Sequence, residues 1–194
     1  MRTLIKNGLV YDGSGGTPFR KDVLIKDGFI EAVTESAEEY GMEMTRAEAI
    51  GAEAAAAEVI DASGLVVTPG FIDTHRHCDI DALYNPEFGR LEMAQGLTTV
   101  IGGNCGLAPI PAPKQYRRDI YDFIEPCLGI APEEMAIERF GDYLEELGKR
   151  ELPLHVGSLL ATGTLKAAIK GYGKGPFTRQ EMDQAKAYIR EGFE

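Results

Sequence analysis

"VVTPGFIDTHRHCD", residues 66–79, decides how this chain is read. A β-branched apolar run passes through Pro69-Gly70 into Phe71-Ile72-Asp73 and ends at two histidines, His75 and His77. The chain has only three histidines, so this pair uses most of them. In a strand, residues i and i+2 point to the same side, so two imidazoles at that spacing can reach one metal ion. The alternative is a pair of solvated histidines in a turn after Asp73. Position favours ligands, because parallel α/β proteins build their sites where strands end.

Outward from this stretch, the pattern changes character. Before it, TLIKNGLVYDG and DVLIKDGFIEAV read as short strands, with Asp27-Gly28 as a hairpin turn between β-rich runs. Residues 35–58 carry seven Glu and one Arg among many Ala, and read as a solvated acidic insertion. VID (59–61) and LVVT (65–68) add two strand-like runs. After the histidines, apolar strands alternate with helices. LTTVIGG (97–103) is a buried strand. FGDYLEELGKR (140–150) is an amphipathic helix with Phe140, Tyr143, Leu144 and Leu147 on one face, and LHVGSLLA (154–161) is another strand. Thr178 with Glu181 forms a capping box that opens a last helix. Alternating βα units imply a parallel sheet, open or closed into a barrel. The expected division is a small β-rich domain over 1–65 and a partial α/β domain over 66–194.

The second chemical candidate is Cys105 in "VIGGNCGLAP" (100–109), at the end of the next strand. Gly102, Gly103 and Gly106 let the backbone bend sharply or approach a ligand. A thiolate binds zinc strongly, whereas a lone cysteine is more often a small buried apolar residue. The glycine flank and the strand-end position favour the ligand. Cys78 is read as packing, Cys127 falls in an irregular stretch with no role, and His155 opens a strand and is read as structural. Asp79 either orients a histidine from behind or caps a helix.

The net charge of −11 argues against nucleic acid or an anionic membrane surface as partner. The odd, unclustered cysteines and the absence of a signal-like apolar start read as a cytoplasmic protein.

"VVTPGFIDTHRHCD" resembles the start of the barrel in the amidohydrolase superfamily. "QGLTTVIGGNCG" (95–106) narrows the resemblance to the N-acyl-D-amino-acid deacylases, or D-aminoacylases. "IKNGLVYDGSGGTPFRKDVLIKDGFIEAV" (5–33) and "LLATGTLKAAIKG" (159–171) are similar to the same family. The resemblance implies an α/β fold: a small N-terminal β-sandwich followed by the first three or so βα units of a (β/α)8 TIM barrel. It implies His75, His77 and Cys105 as ligands of one or two Zn2+ ions. The implied reaction is hydrolysis of the amide of a small-molecule N-acyl-D-amino acid. Arg76 and Cys78 depart from the family pattern, standing where a small polar residue and an acid are expected. The remaining histidine ligands and the general acid–base aspartate are expected beyond Glu194. On this reading the chain is the N-terminal portion of a deacylase, inactive alone and without a catalytic residue of its own. Two rivals are a cyclic-amide hydrolase of the hydantoinase or dihydroorotase type, which lacks the G-N-C-G cysteine, and a non-catalytic partial-barrel module.

Overall fold

The computed structural model describes residues 2–34 and 58–193. Most of the acidic stretch lies outside the described residues, although Glu58 opens a strand. The chain divides into two compact units, Met1–Pro69 and Gly70–Glu194.

The first unit is built from strands β1 (Arg2–Lys6), β2 (Leu9–Val10), β3 (Phe19–Arg20), β4 (Asp22–Lys26), β5 (Phe29–Thr34), β6 (Glu58–Asp61) and β7 (Val66–Val67). Its larger sheet runs β5-β4-β1-β6 and its smaller one β3-β2-β7. Both are mixed: β1 is antiparallel to β4 but parallel to β6, and β2 is antiparallel to β3 but parallel to β7. The β4–β5 hairpin closes on Asp27 and Gly28, at φ 50° and 85°, with Lys26 opposite Phe29. Positive φ at both turn residues matches the right-handed twist of the strands. Leu4 and Leu24 face each other across β1 and β4 and form the buried centre of this sheet.

The second unit holds β8 (Phe71–Asp73), β9 (Leu97–Gly102) and β10 (His155–Ser158), all parallel, in the order β10-β9-β8. Six helices accompany them: α1 (Asp81–Tyr84), α2 (Arg90–Ala94), α3 (Arg117–Leu128), α4 (Phe140–Gly148), α5 (Thr162–Lys170) and α6 (Arg179–Glu191). Parallel neighbours need long crossovers: α1 and α2 lie on the one from β8 to β9, α3 and α4 on the one from β9 to β10, and α5 and α6 follow β10. Val100, at the middle of β9, is fully buried in a core with Ile110, Met135, Tyr143 and Leu147. Burial along β9 is uneven: Val100 and Gly102 are buried, Leu97, Thr99 and Ile101 on the other face are half-buried, and Thr98 is exposed.

Two local expectations change. Helix α4 buries Phe140, Tyr143 and Leu147, but Leu144 stays 43% exposed. The i, i+3, i+7 stripe satisfies the core, and Leu144 lies at its margin. Cys127 is not in an irregular stretch but in the last turn of α3. Pro126 cannot donate a helical hydrogen bond there, yet Ile120, Ile124 and Leu128 bury one continuous face and hold the helix. The capping box at the start of α6 forms in both directions: the Glu181 N–H donates to Thr178 Oγ1, and the Thr178 N–H to Glu181 Oε2.

Candidate metal centre

Strand β8 ends at Asp73, so His75 and His77 do not lie on a strand as the i, i+2 argument supposed. The Asp73 side chain is the cause: its Oδ1 accepts the His75 N–H at 3.0 Å and turns the chain out of the sheet. The Arg76 N–H then donates to the Ile101 carbonyl at 3.0 Å, tying the loop to β9. Within it the two imidazoles meet edge to face, with ring centroids 5.6 Å apart.

Cys105 lies in a single 3-10 turn, Asn104–Gly106, directly after β9. Its φ of 56° places a non-glycine residue in the left-handed region. The turn is held from several sides. Asn104 Nδ2 donates to the Ile101 carbonyl at 2.7 Å, the Leu107 N–H to the Asn104 carbonyl at 2.8 Å, and the Leu159 N–H to the Gly102 carbonyl at 3.1 Å. Gly103, at φ 70°, packs so close to β10 that a Cβ there would sit 2.1 Å from the Leu159 carbonyl oxygen.

These two loops bring His75, His77 and Cys105 together: one ligand atom from each lies within 4.8 Å of the others. His75 Nε2 is 3.1 Å from Cys105 Sγ. His77 Nδ1 is buried with no hydrogen-bond partner. Two imidazole nitrogens and a thiolate are ligands that zinc accepts. Donors bound tetrahedrally at ~2.0–2.3 Å lie roughly 3.5 Å apart, so the cluster needs little movement to close on an ion.

Asp79 caps no helix and touches neither histidine by hydrogen bond. Only 1% exposed, it accepts the Gly103 N–H through Oδ1 at 2.7 Å, while Oδ2 has no partner. Burial pushes its carboxyl up to about 6, against the opposing pull of the Gly103 N–H. Cys78 packs into the core, and burial, reinforced by the neighbouring Asp79, pushes its thiol up to about 12. Arg76 pairs with the buried Glu92 and reaches Asp73 at 3.8 Å. His155 stays exposed as the first residue of β10, paired in register with Thr99. A cleft of about 330 Å³ opens beside Cys105, lined in part by Phe123, Thr164, Lys166 and Tyr172. The Asp79–Gly103 bond, the Arg76–Glu92 pair and this cleft were not foreseen, since each joins residues far apart in sequence.

A parallel sheet whose strand ends gather two imidazoles and a thiol defines a class of α/β protein with a metal-capable rim. The chain belongs to the amidohydrolase family, whose model matches residues 58–192. It is 31% identical to the N-acyl-D-aspartate deacylase of Alcaligenes xylosoxydans xylosoxydans, over 98% of this chain and 34% of that protein. The crystal structure of the N-acyl-D-glutamate deacylase of Bordetella bronchiseptica, complexed with zinc and a phosphonate inhibitor, superposes with a TM-score of 0.72. That likeness covers 97% of this chain and 35% of that one, at 25% identity. A D-aminoacylase with a binuclear metal centre superposes with a TM-score of 0.74 at 26% identity, over 98% of this chain and 36% of that one. The chain thus spans about a quarter to a third of the length of the curated relatives it matches. No helix among the described residues is long and apolar enough to cross a membrane.

Proposed function

We propose that this chain is part of a zinc-dependent N-acyl-D-amino-acid deacylase and carries the first half of its metal centre. The observation that carries the reading is the convergence of His75, His77 and Cys105 from two separate loops. Its likeness to deacylases along nearly its whole length supports the same substrate class, a small-molecule N-acyl-D-amino acid. We read β8, β9 and β10 as the first three strands of a (β/α)8 barrel, since they pair in sequential order and all run parallel. The mixed sheets of residues 2–69 we read as part of a small β-sandwich domain.

In this reading His75 and His77 would hold a metal ion through their imidazole nitrogens, and Cys105 would bind it as thiolate. A bound Zn2+ polarises the amide carbonyl and makes water a nucleophile at neutral pH. The loops fix the donors before any ion arrives, which spares the reaction the cost of ordering them.

Two measurements test this. Zn2+ and Co2+ should bind the chain, with thiolate-to-cobalt absorption that disappears in Cys105→Ala. The full-length gene product should hydrolyse N-acetyl-D-amino acids and spare their L-enantiomers. A C105A variant that keeps metal and activity, with turnover of hydantoins or dihydropyrimidines instead, would favour the cyclic-amide hydrolases.

A further inference from the structure

Two residues beyond His77 and two residues before Cys105, a side-chain hydrogen bond crosses the rim. Asp79 Oδ1 accepts the Gly103 N–H at 2.7 Å, fully buried. We propose that Asp79 is a positioning residue for Cys105, a strut that fixes the distance between the loop carrying the histidines and the turn carrying the thiol. This rests on the metal-centre reading above.

Three observations carry it. The strut is anchored at its own end, because the Tyr143 hydroxyl donates to the Asp79 backbone carbonyl at 2.9 Å from α4. Room has been made for it: a Cβ on Gly102 would sit 2.7 Å from Asp79 Oδ1, so only glycine lets the carboxylate lie against β9. What it holds would not hold itself, since Cys105 sits at φ 56°, where a non-glycine residue persists only when its surroundings over-determine it. Nor is packing a sufficient reason for an acid here. A buried carboxylate with Oδ2 unpartnered is a costly way to fill space that an apolar side chain of like volume could fill.

The test compares Asp79→Ala, Asp79→Leu and Asp79→Asn in this chain, with Tyr143→Phe as a control that loosens the anchor but leaves the acceptor. Leucine keeps the volume without an acceptor, and asparagine keeps the acceptor. Co2+ titration of folded protein, judged by circular dichroism, should show binding weakened about 10–100-fold in D79A and D79L, with weaker thiolate-to-cobalt absorption. D79N should restore both, and Y143F, which keeps the acceptor but frees the anchor, should lose less than D79A or D79L. Wild-type binding in D79A or D79L, or an equal loss in Y143F, overturns the strut. If the wild-type chain binds no Co2+, the metal-centre reading fails by itself. The strut is then decided without metal, by iodoacetamide labelling of Cys105 relative to Cys127 in the same molecule. A ratio that changes several-fold in D79A and D79L but not in D79N, with a smaller change in Y143F, sustains it, and an unchanged ratio in D79A and D79L overturns it.

Discussion

Gly103→Ala tests how tightly the turn carrying Cys105 is mounted on the sheet. Two costs act at once. At φ 70° an alanine pays ~1–2 kcal/mol for the left-handed backbone alone. Its Cβ would also sit 2.1 Å from the Leu159 oxygen and 2.8 Å from the Leu159 nitrogen. Both are backbone atoms, so no side-chain rotation relieves the overlap. The tip of β10 must move, at ~1–3 kcal/mol for overpacking, and the 3.1 Å bond from the Leu159 N–H to the Gly102 carbonyl is lost, at ~1 kcal/mol. The expected total is ~3–6 kcal/mol. Gly175→Ala isolates the first cost: its φ is 94° and nothing lies within 4 Å of a new Cβ, so ~1–2 kcal/mol is expected. Denaturant unfolding followed by tyrosine fluorescence suits the comparison. The chain has no tryptophan, and six of its eight tyrosines lie in residues 70–194. If G103A falls within about 1 kcal/mol of G175A, the turn yields freely and the clamp on Cys105 is an illusion.

Three further outcomes follow from the same core. Burial pushes the Tyr121 phenol up to about 12, and its buried hydroxyl has no hydrogen-bond partner. The unfolded tyrosine releases its proton near 10 and the folded one near 12, so stability is unaffected below pH 10 and falls above it. Tyr121→Phe should therefore raise the pH of alkaline unfolding, and an unmoved midpoint refutes the assignment. Of the three free thiols, Cys105 and Cys127 are exposed and should label quickly with a thiol reagent, whereas buried Cys78 should label only on unfolding. Equal rates in peptide maps would contradict its place in the core. Glu92→Ala should cost about 1–3 kcal/mol, because it leaves the partly buried Arg76 guanidinium only its longer 3.8 Å contact with Asp73, and a loss below about 0.5 kcal/mol in thermal unfolding would show that the pair contributes nothing.

What the sequence made legible was local. The Asp27-Gly28 hairpin, the Thr178–Glu181 capping box and the β9 strand each depend on neighbours a few residues apart and form as expected, although β9 is buried only at Val100 and Gly102. The donors His75, His77 and Cys105 also come together, although the route differs from the argument that selected them. Strand periodicity gave the reason for pairing the histidines, but β8 stops at Asp73, because a side-chain oxygen competes with the ladder for the His75 N–H. Asp79 was legible as an acid near the site and not as a partner of Gly103. That bond spans 24 residues, and no spacing rule predicts which backbone N–H a buried carboxylate will find.

The two departures from the deacylase pattern, Arg76 and Cys78, are where the structure adds most to the motif. They alternate with the two histidines, and the structure sorts the four side chains by destination. His75 and His77 turn toward Cys105. Cys78 turns into the core beside Tyr143 and Val100, where a thiol is an acceptable small apolar residue. Arg76 turns to Glu92, only 7% exposed, and to Asp73. A cation between two imidazoles proposed as metal ligands would repel an incoming divalent ion if it faced the same way. Paired with two carboxylates, its charge is offset where it stands. The substitutions therefore leave the donor set intact, because they occupy positions whose work is packing and charge balance. Glu92, seventeen residues beyond His75 and on another element, is what makes an arginine tolerable there.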